Sequence, residues 1–309
     1  MNIKRLITDY LWFYTVIRHR SRMGILKGPA YSKYLNKCKD SYLKSNHHVQ
    51  ELPENIMSAI KNFHSNGVGS FITDKSNELA SSIYEKIKYK EKNEKIWSDS
   101  DSGRFVGGDI YQSFPEIESL FKEVLGPYLE GIYQSYFQIY YGLIYKSLRK
   151  KSSPTGSEIW HGDGGPGVCI NLMVALSDVN SKNGAMEILP WPYTVNIFKN
   201  EKKYIENIRK KDVNNKFDQK DQERTLRAKF FESQIIKNYS DKIIQPQGKS
   251  GTIISMMNNA IHKGGFPNEN KSRYVCIFHI YPSKRKTPYE NYKKIGILKK
   301  GPYPNINEL

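Results

Sequence analysis

Residues 158–176 read EIWHGDGGPGVCINLMVAL. Within this run His161, Gly162 and Asp163 form an H-x-D. Residues i and i+2 of an extended chain point to the same side, so a neutral imidazole and a carboxylate placed there can share one metal ion. Gly162, Gly164, Gly165, Pro166 and Gly167 surround the pair and allow backbone to approach a ligand closely. The segment from 167 to 176 then runs apolar and reads as a long strand. By itself the H-x-D is weakly specific. The chain holds seven histidines, and a chance H-x-[DE] is expected about 0.7 times in such a chain.

Working outward, residues 158–161 read as short and extended, and 136–146 are rich in aromatic and β-branched residues. Further strands are expected over 185–189, closed by Pro190 and Pro192, over 251–262 and over 272–281. Short strands divided by Gly, Pro and Asn turns predict a mainly β chain, a sandwich or jelly roll, with flanking helices. Upstream, 54–64 reads as a helix, Asn66-Gly67 as a turn and 68–72 as a strand. Residues 76–88 read as a helix capped by Ser76 or Asn77, 89–104 as a charged loop, and 116–133 as one amphipathic helix. Residues 199–243 are charged and helical in pattern, either a lid over the barrel mouth or a solvated connector. These expectations divide the chain into an N-terminal extension (1–49), a β domain (50–285) with the insertion 199–243, and a basic tail (286–309).

A third ligand follows from the far end of the β region. His262 ends the expected strand 251–262 and is followed by Lys263-Gly264-Gly265. Two histidines and one carboxylate make the facial set of non-haem Fe(II) oxygenases, which leaves positions open for a bidentate co-substrate and O2. If 263–271 is a hairpin turn, Arg273 lies across the ladder from His262, where its planar guanidinium can grip a carboxylate through two hydrogen bonds. Read singly, His161 and Asp163 could be a turn histidine and a capping carboxylate, and His262 a satisfied core histidine. His64 and His279 read as structural, and His47-His48 as a surface pair.

In this ordered set the chain resembles the phytanoyl-CoA dioxygenase family over roughly residues 54–281. The matching pieces are Leu143-Ile144-Tyr145-Lys146, His161-Gly162-Asp163, the strand 172–178, Asn183-Gly184, Ile188-Leu189-Pro190, Gly251, His262 and Arg273. The resemblance implies a cupin-like double-stranded β-helix. It implies Fe(II) held by His161, Asp163 and His262, and 2-oxoglutarate held through its far carboxylate by Arg273. Met173 would form a wall of that pocket and Lys146 would lie near it. The implied reaction is hydroxylation of a C–H bond with release of succinate and CO2. Asp163 favours hydroxylation, because related halogenases carry a small residue at this place. Two departures touch the co-substrate pocket. Gly264 stands where many members have Ser or Thr, so that Thr252 or a Tyr would have to substitute. Trp191-Pro192-Tyr193 stands where Gly-Ser-His is common.

Bulk properties narrow the field. The chain is 38% hydrophobic and 26% charged, which suits a buried core and excludes a disordered polyelectrolyte. No stretch approaches the roughly 18 apolar residues of a membrane span. Cys38, Cys169 and Cys276 lack paired spacing, which excludes a disulfide framework and favours a reducing, cytoplasmic setting. Ile3, Leu6, Ile7, Tyr10, Leu11, Tyr14 and Ile17 recur at helical spacing, as a helix packed on the protein's own body or one lying at a membrane surface. The formal charge of +17 fits an anionic small molecule, free or carried on a lipid or glycan, although abundant Lys is also a compositional habit. A nucleic-acid-modifying oxygenase agrees in charge only, since no basic-aromatic single-strand groove is visible. The remaining rivals are a catalytically inactive β-helix binding protein and a zinc hydrolase using Glu158.

Overall fold

The computed structural model describes residues 29–45, 51–100, 103–106, 109–149, 152–154, 156–163, 169–211 and 219–289. The helix expected over residues 3–17, Gly164–Gly167 and most of the basic tail lie outside these residues.

Among the described residues nine strands form two sheets: β1 (Val68–Phe71), β2 (Trp97–Ser100), β3 (Gly103–Val106), β4 (Tyr136–Leu148), β5 (Ile170–Ala175), β6 (Glu187–Ile188), β7 (Ile253–Met257), β8 (His262–Lys263) and β9 (Ser272–Ser283). The large sheet runs β1-β7-β5-β9-β4-β3-β2, antiparallel at each pairing, and β6 pairs with β8 in the small one. β5 is buried at each of its six positions, as a central strand covered on both faces must be.

Register sorts the side chains. Asn171 lies opposite His279, and Met173 opposite Ile277, so these share one face of the sheet with Val275 and Arg273. The other face carries Leu172, Phe278, Ile280 and Ser255, and the helices pack there. Phe121 meets Phe278 edge-on at 5.0 Å, Tyr133 donates to the Ile280 carbonyl at 2.8 Å, and Tyr128 bonds Ser255. Helices thus close one face and leave the other, the inner face, turned toward the small sheet.

Several local expectations are corrected. The helix Asp74–Asn93 is capped by Thr73; Ser76 sits at the third position and closes a reciprocal capping box, with bonds of 3.0 and 2.9 Å. The expected loop 89–104 is helix to Asn93 followed by the hairpin β2–β3, which pairs onto the far end of β4. Residues 116–133 carry a π turn, Phe121–Leu125, between two α segments. Its cause is local: Pro127 has no N–H to give, and Gly126 donates instead to the Phe121 carbonyl, five residues back. The N-terminal extension expected over 1–49 contains the helix Pro29–Lys44, whose Tyr34, Leu35, Cys38 and Tyr42 are buried. The insertion begins earlier than residue 199, as the helices Trp191–Lys211 and Gln219–Asn238, with Pro192 in the first turn where a missing N–H costs nothing.

Gly251 starts the return toward the site at φ +85°, and a Cβ there would stand 2.3 Å from the Asn77 Cα. Gly251→Ala is therefore expected to lose at least about 2 kcal/mol of stability, read by denaturant unfolding, because left-handed strain and a backbone clash add.

Candidate metal centre

The expected strand 251–262 is two strands, and the break between them builds the site. β7 ends at Met257 in the large sheet, a turn closed by Ala260 N–H donating to the Met257 carbonyl follows, and the chain crosses to the small sheet as β8. His262 there pairs with Ile188, and on its other side it meets His161 in an isolated bridge. Each histidine donates its backbone N–H to the other's carbonyl at 2.8 Å. The main chain thus fixes both rings side by side, with centroids 4.3 Å apart.

The side chains complete a ligand set. Ligand atoms of His161, Asp163 and His262 all lie within 4.8 Å of one another. Asp163 Oδ1 stands 3.5 Å from His161 Nε2 and 3.9 Å from His262 Nε2. His161 Nδ1 lies 2.7 Å from the Ile159 carbonyl, and His262 Nδ1 lies 2.8 Å from that of Ala260. A carbonyl only accepts, so each Nδ1 carries a proton and each Nε2 is the nitrogen left to face Asp163. Charge follows the same logic. Burial, reinforced by His161, pushes His262 down to about 4, so it is neutral at pH 7. Burial would raise Asp163, but His262, His161 and His279 outweigh it and hold the carboxyl well below the usual carboxylate range. Two imidazoles, each with Nδ1 held by a backbone carbonyl, and one carboxylate converge in a set that fits a divalent transition metal.

Arg273 does not lie across a ladder from His262. β9 pairs with β4 and β5 in the large sheet, where Arg273 faces Ser147, while β8 belongs to the small sheet. The chain has to leave one sheet to form the other, and a hairpin between β8 and β9 is thereby excluded. Arg273 nevertheless reaches the inner face. It is 6% exposed, and its Nε is buried with no hydrogen-bond partner. Burial lowers it to about 10, with Tyr145 and Glu158 opposing, so it stays charged at neutral pH. A buried cation with an unused donor fits an anionic ligand group.

Met173 is buried on the inner face, two residues from Asn171. Lys146 is not at the site. It pairs with Tyr274 in the register, which turns it to the opposite face from Arg273 and its partner Ser147. There its ammonium binds Glu91 and lies 4.9 Å from the Tyr274 ring. Burial raises Glu91, but Lys146 and Lys88 outweigh it and bring it to about 2. Its folded value therefore lies below the ordinary 4.5, and the stability it confers is present above pH 4.5 and lost as pH falls toward about 2. Lys146→Ala should cost about 1–3 kcal/mol at pH 7, shrinking in acid, with no change in ligand binding. Urea unfolding at pH 7 and pH 3 checks both parts. Gly264 bonds the Ser157 carbonyl at 2.6 Å, and Thr252 stands against Gly248.

Two residues beside Asp163 were not anticipated: Asn171 and Asn258 donate to it, and His279 lies opposite Asn171 on the inner face. Asn171 carried a signal, as the one polar residue in the apolar run 167–176. Phe198, from the insertion, reaches the loop of His161 and Asp163: a Cβ on Gly162 would lie 3.5 Å from its ring.

No protein-family profile matches the chain, and no curated protein matches it. Solved structures do. EctD from S. alaskensis with bound Fe superposes with a TM-score of 0.50 at 14% identity, over 78% of this chain and 83% of that one. The fold is a cupin-like jelly roll. The epimerase SnoN in complex with Fe3+, alpha ketoglutarate and nogalamycin RO gives a TM-score of 0.49 at 11% identity, over 82% and 94%. HygX from Streptomyces hygroscopicus, with nickel and 2-oxoglutarate bound, gives 0.48 at 10%, over 76% and 89%. In the jelly roll of this chain the ligand set lies where the small sheet meets the inner face of the large one. No helix among the described residues is long and apolar enough to cross a membrane.

Proposed function

We propose that this chain is an Fe(II)- and 2-oxoglutarate-dependent dioxygenase of the phytanoyl-CoA dioxygenase kind, hydroxylating a C–H bond of an anionic small molecule, free or carried on a lipid or glycan. The observation that carries the reading is the convergence of His161, Asp163 and His262 with both imidazole Nδ1 atoms already committed to backbone carbonyls. When bound, the iron supplies the redox site at which 2-oxoglutarate and O2 yield succinate and CO2, the second oxygen atom going to the substrate as a hydroxyl.

The rest is work for the protein's own groups. The two Nε2 atoms and one carboxylate oxygen would hold the metal, and a set of three ligands would leave positions for co-substrate and O2. Arg273 takes the far carboxylate of 2-oxoglutarate, using the donor that no protein group satisfies. Met173 and Ile277 give that pocket an apolar wall, which excludes water and strengthens the ion pair. The excess of 48 Lys and Arg over 31 Asp and Glu supports an anionic substrate.

The test is 2-oxoglutarate consumption and succinate formation by iron-loaded protein in air, across a panel of acyl thioesters, anionic metabolites and lipid-linked glycans. Succinate rising with one member of the panel, and absent in His262→Ala, is expected. Iron-loaded protein that neither binds nor turns over 2-oxoglutarate would sink the proposal.

A further inference from the structure

We propose that Asn171 and Asn258 are positioning residues: two buried amides that clamp the outer oxygen of Asp163, so that the carboxylate offers a single oxygen to the metal. The inference rests on the metal-site reading above and goes one layer beyond the ligands.

Glycine stands on both sides of Asp163 in the sequence, at 162 and 164, and offers it no side-chain contact; its carboxylate is held by side-chain contacts from elsewhere in the chain. Those contacts come from two places far apart in the chain. Asn171 lies on β5 and Asn258 just past the end of β7, and the β5–β7 register, Asn171 against Met256, brings them together. They are 6% and 1% exposed. Asn171 Nδ2 donates to Asp163 Oδ2 at 2.5 Å, and Asn258 Nδ2 donates to the same oxygen at 3.3 Å. Asn258 Nδ2 also donates to Asn171 Oδ1 at 3.2 Å, which ties the two amides to each other. Cys169 Sγ adds a weak donor to Asn171 Oδ1 at 3.9 Å.

The orientation of Asn258 is set by this network. Turned over, it would press its own oxygen against two acceptors. In the orientation observed, Asn258 Oδ1 is buried with no hydrogen-bond partner. An interior acceptor left unpaired is unfavourable, and structures retain few of them. Here it is retained in exchange for donors on Asp163, which is the signature of a group kept for the carboxylate.

The chemical consequence concerns the metal's open positions. Both donors fall on Oδ2, while Oδ1 is the oxygen facing His161 and His262. An oxygen already accepting two hydrogen bonds is a poor second ligand, so the carboxylate binds through Oδ1 alone. A carboxylate free to turn could bind through both oxygens and take up a position that co-substrate needs. Amides behind a ligating carboxylate also fix its rotamer before the metal arrives.

Co(II) titration of the full chain, followed by visible absorption, separates a clamp from packing. Asn171→Leu and Asn258→Leu keep the volume and remove the donors, and circular dichroism reports whether each is folded. Folded variants are expected to bind Co(II) about 10- to 100-fold more weakly and to give an altered Co(II) spectrum. The double variant should lose less than the two single losses combined, because both amides act on one oxygen. Should one single variant fail to fold, the other carries the test. A folded Leu variant with wild-type affinity and a wild-type spectrum would overturn the clamp while leaving the metal site standing. Wild-type protein that binds no Co(II) would overturn the metal site and the clamp with it.

Discussion

His161→Ala is expected to lose more than about 100-fold in affinity for a divalent metal and to retain its fold. The loss exceeds the 10–100-fold typical of groups behind the ligands, because one of three ligand atoms is deleted outright. The fold survives because what His161 gives the architecture is main chain. Its N–H and carbonyl pair with His262, and neither bond needs the imidazole. The ring is also only partly buried, so the cavity left is open to water. A second readout follows from linkage. A metal held at 100 times its dissociation constant adds about 2.7 kcal/mol to the stability of the folded state. Chelator should therefore lower the melting temperature of metal-loaded wild type and leave that of His161→Ala unmoved. Equal chelator sensitivity in the two proteins would remove His161 from the ligand set.

Arg273→Ala is expected to raise the concentration of 2-oxoglutarate needed for half saturation by about 30-fold or more, with metal affinity unchanged. Losing one partner of a buried, hydrogen-bonded charge pair costs about 2–5 kcal/mol, and each 1.4 kcal/mol is about tenfold. Arg273 meets the conditions for the upper part of that scale, being 6% exposed with an unused buried Nε. Arg273→Lys should recover a part only, since it keeps charge and loses the two-pronged geometry. Lys146→Ala is the contrast, a lysine implied for the same pocket by family resemblance and found on the opposite face beside Glu91. Calorimetry with metal-loaded protein distinguishes these cases. An unchanged affinity in Arg273→Ala would place the co-substrate carboxylate elsewhere.

The convergence of His161, Asp163 and His262 was legible in the sequence wherever a local rule fixed it. The H-x-D spacing on an extended chain, the apolar strand after it and the glycines after His262 are short-range signals, and each lies where the structure uses it. The jelly roll followed from strand texture and from the family resemblance. Pairing was not legible. Whether 251–262 is one strand or two depends on which sheet needs His262, and that is settled by His161, about a hundred residues earlier. The face presented by Lys146 was likewise hidden, because alternation along β4 assigns faces only once the register with β9 is known. Asn258 was missed for the same reason: it lies inside the stretch 251–262 read as one strand, and it gains its meaning from Asp163, far from it in sequence. The hairpin β2–β3 was read as loop because its charged, glycine-broken sequence forms strands only by adding to the end of β4.

The central claim, that His161, Asp163 and His262 hold a metal to which 2-oxoglutarate binds with its far end on Arg273, is tested most directly by one spectrum. Fe(II) and then 2-oxoglutarate are added to the purified protein without oxygen, and the weak visible charge-transfer band of the chelate is recorded. The account predicts a band in wild type that is absent in His161→Ala and needs far more 2-oxoglutarate in Arg273→Ala. A folded wild-type protein that shows no band at saturating iron and 2-oxoglutarate would contradict it.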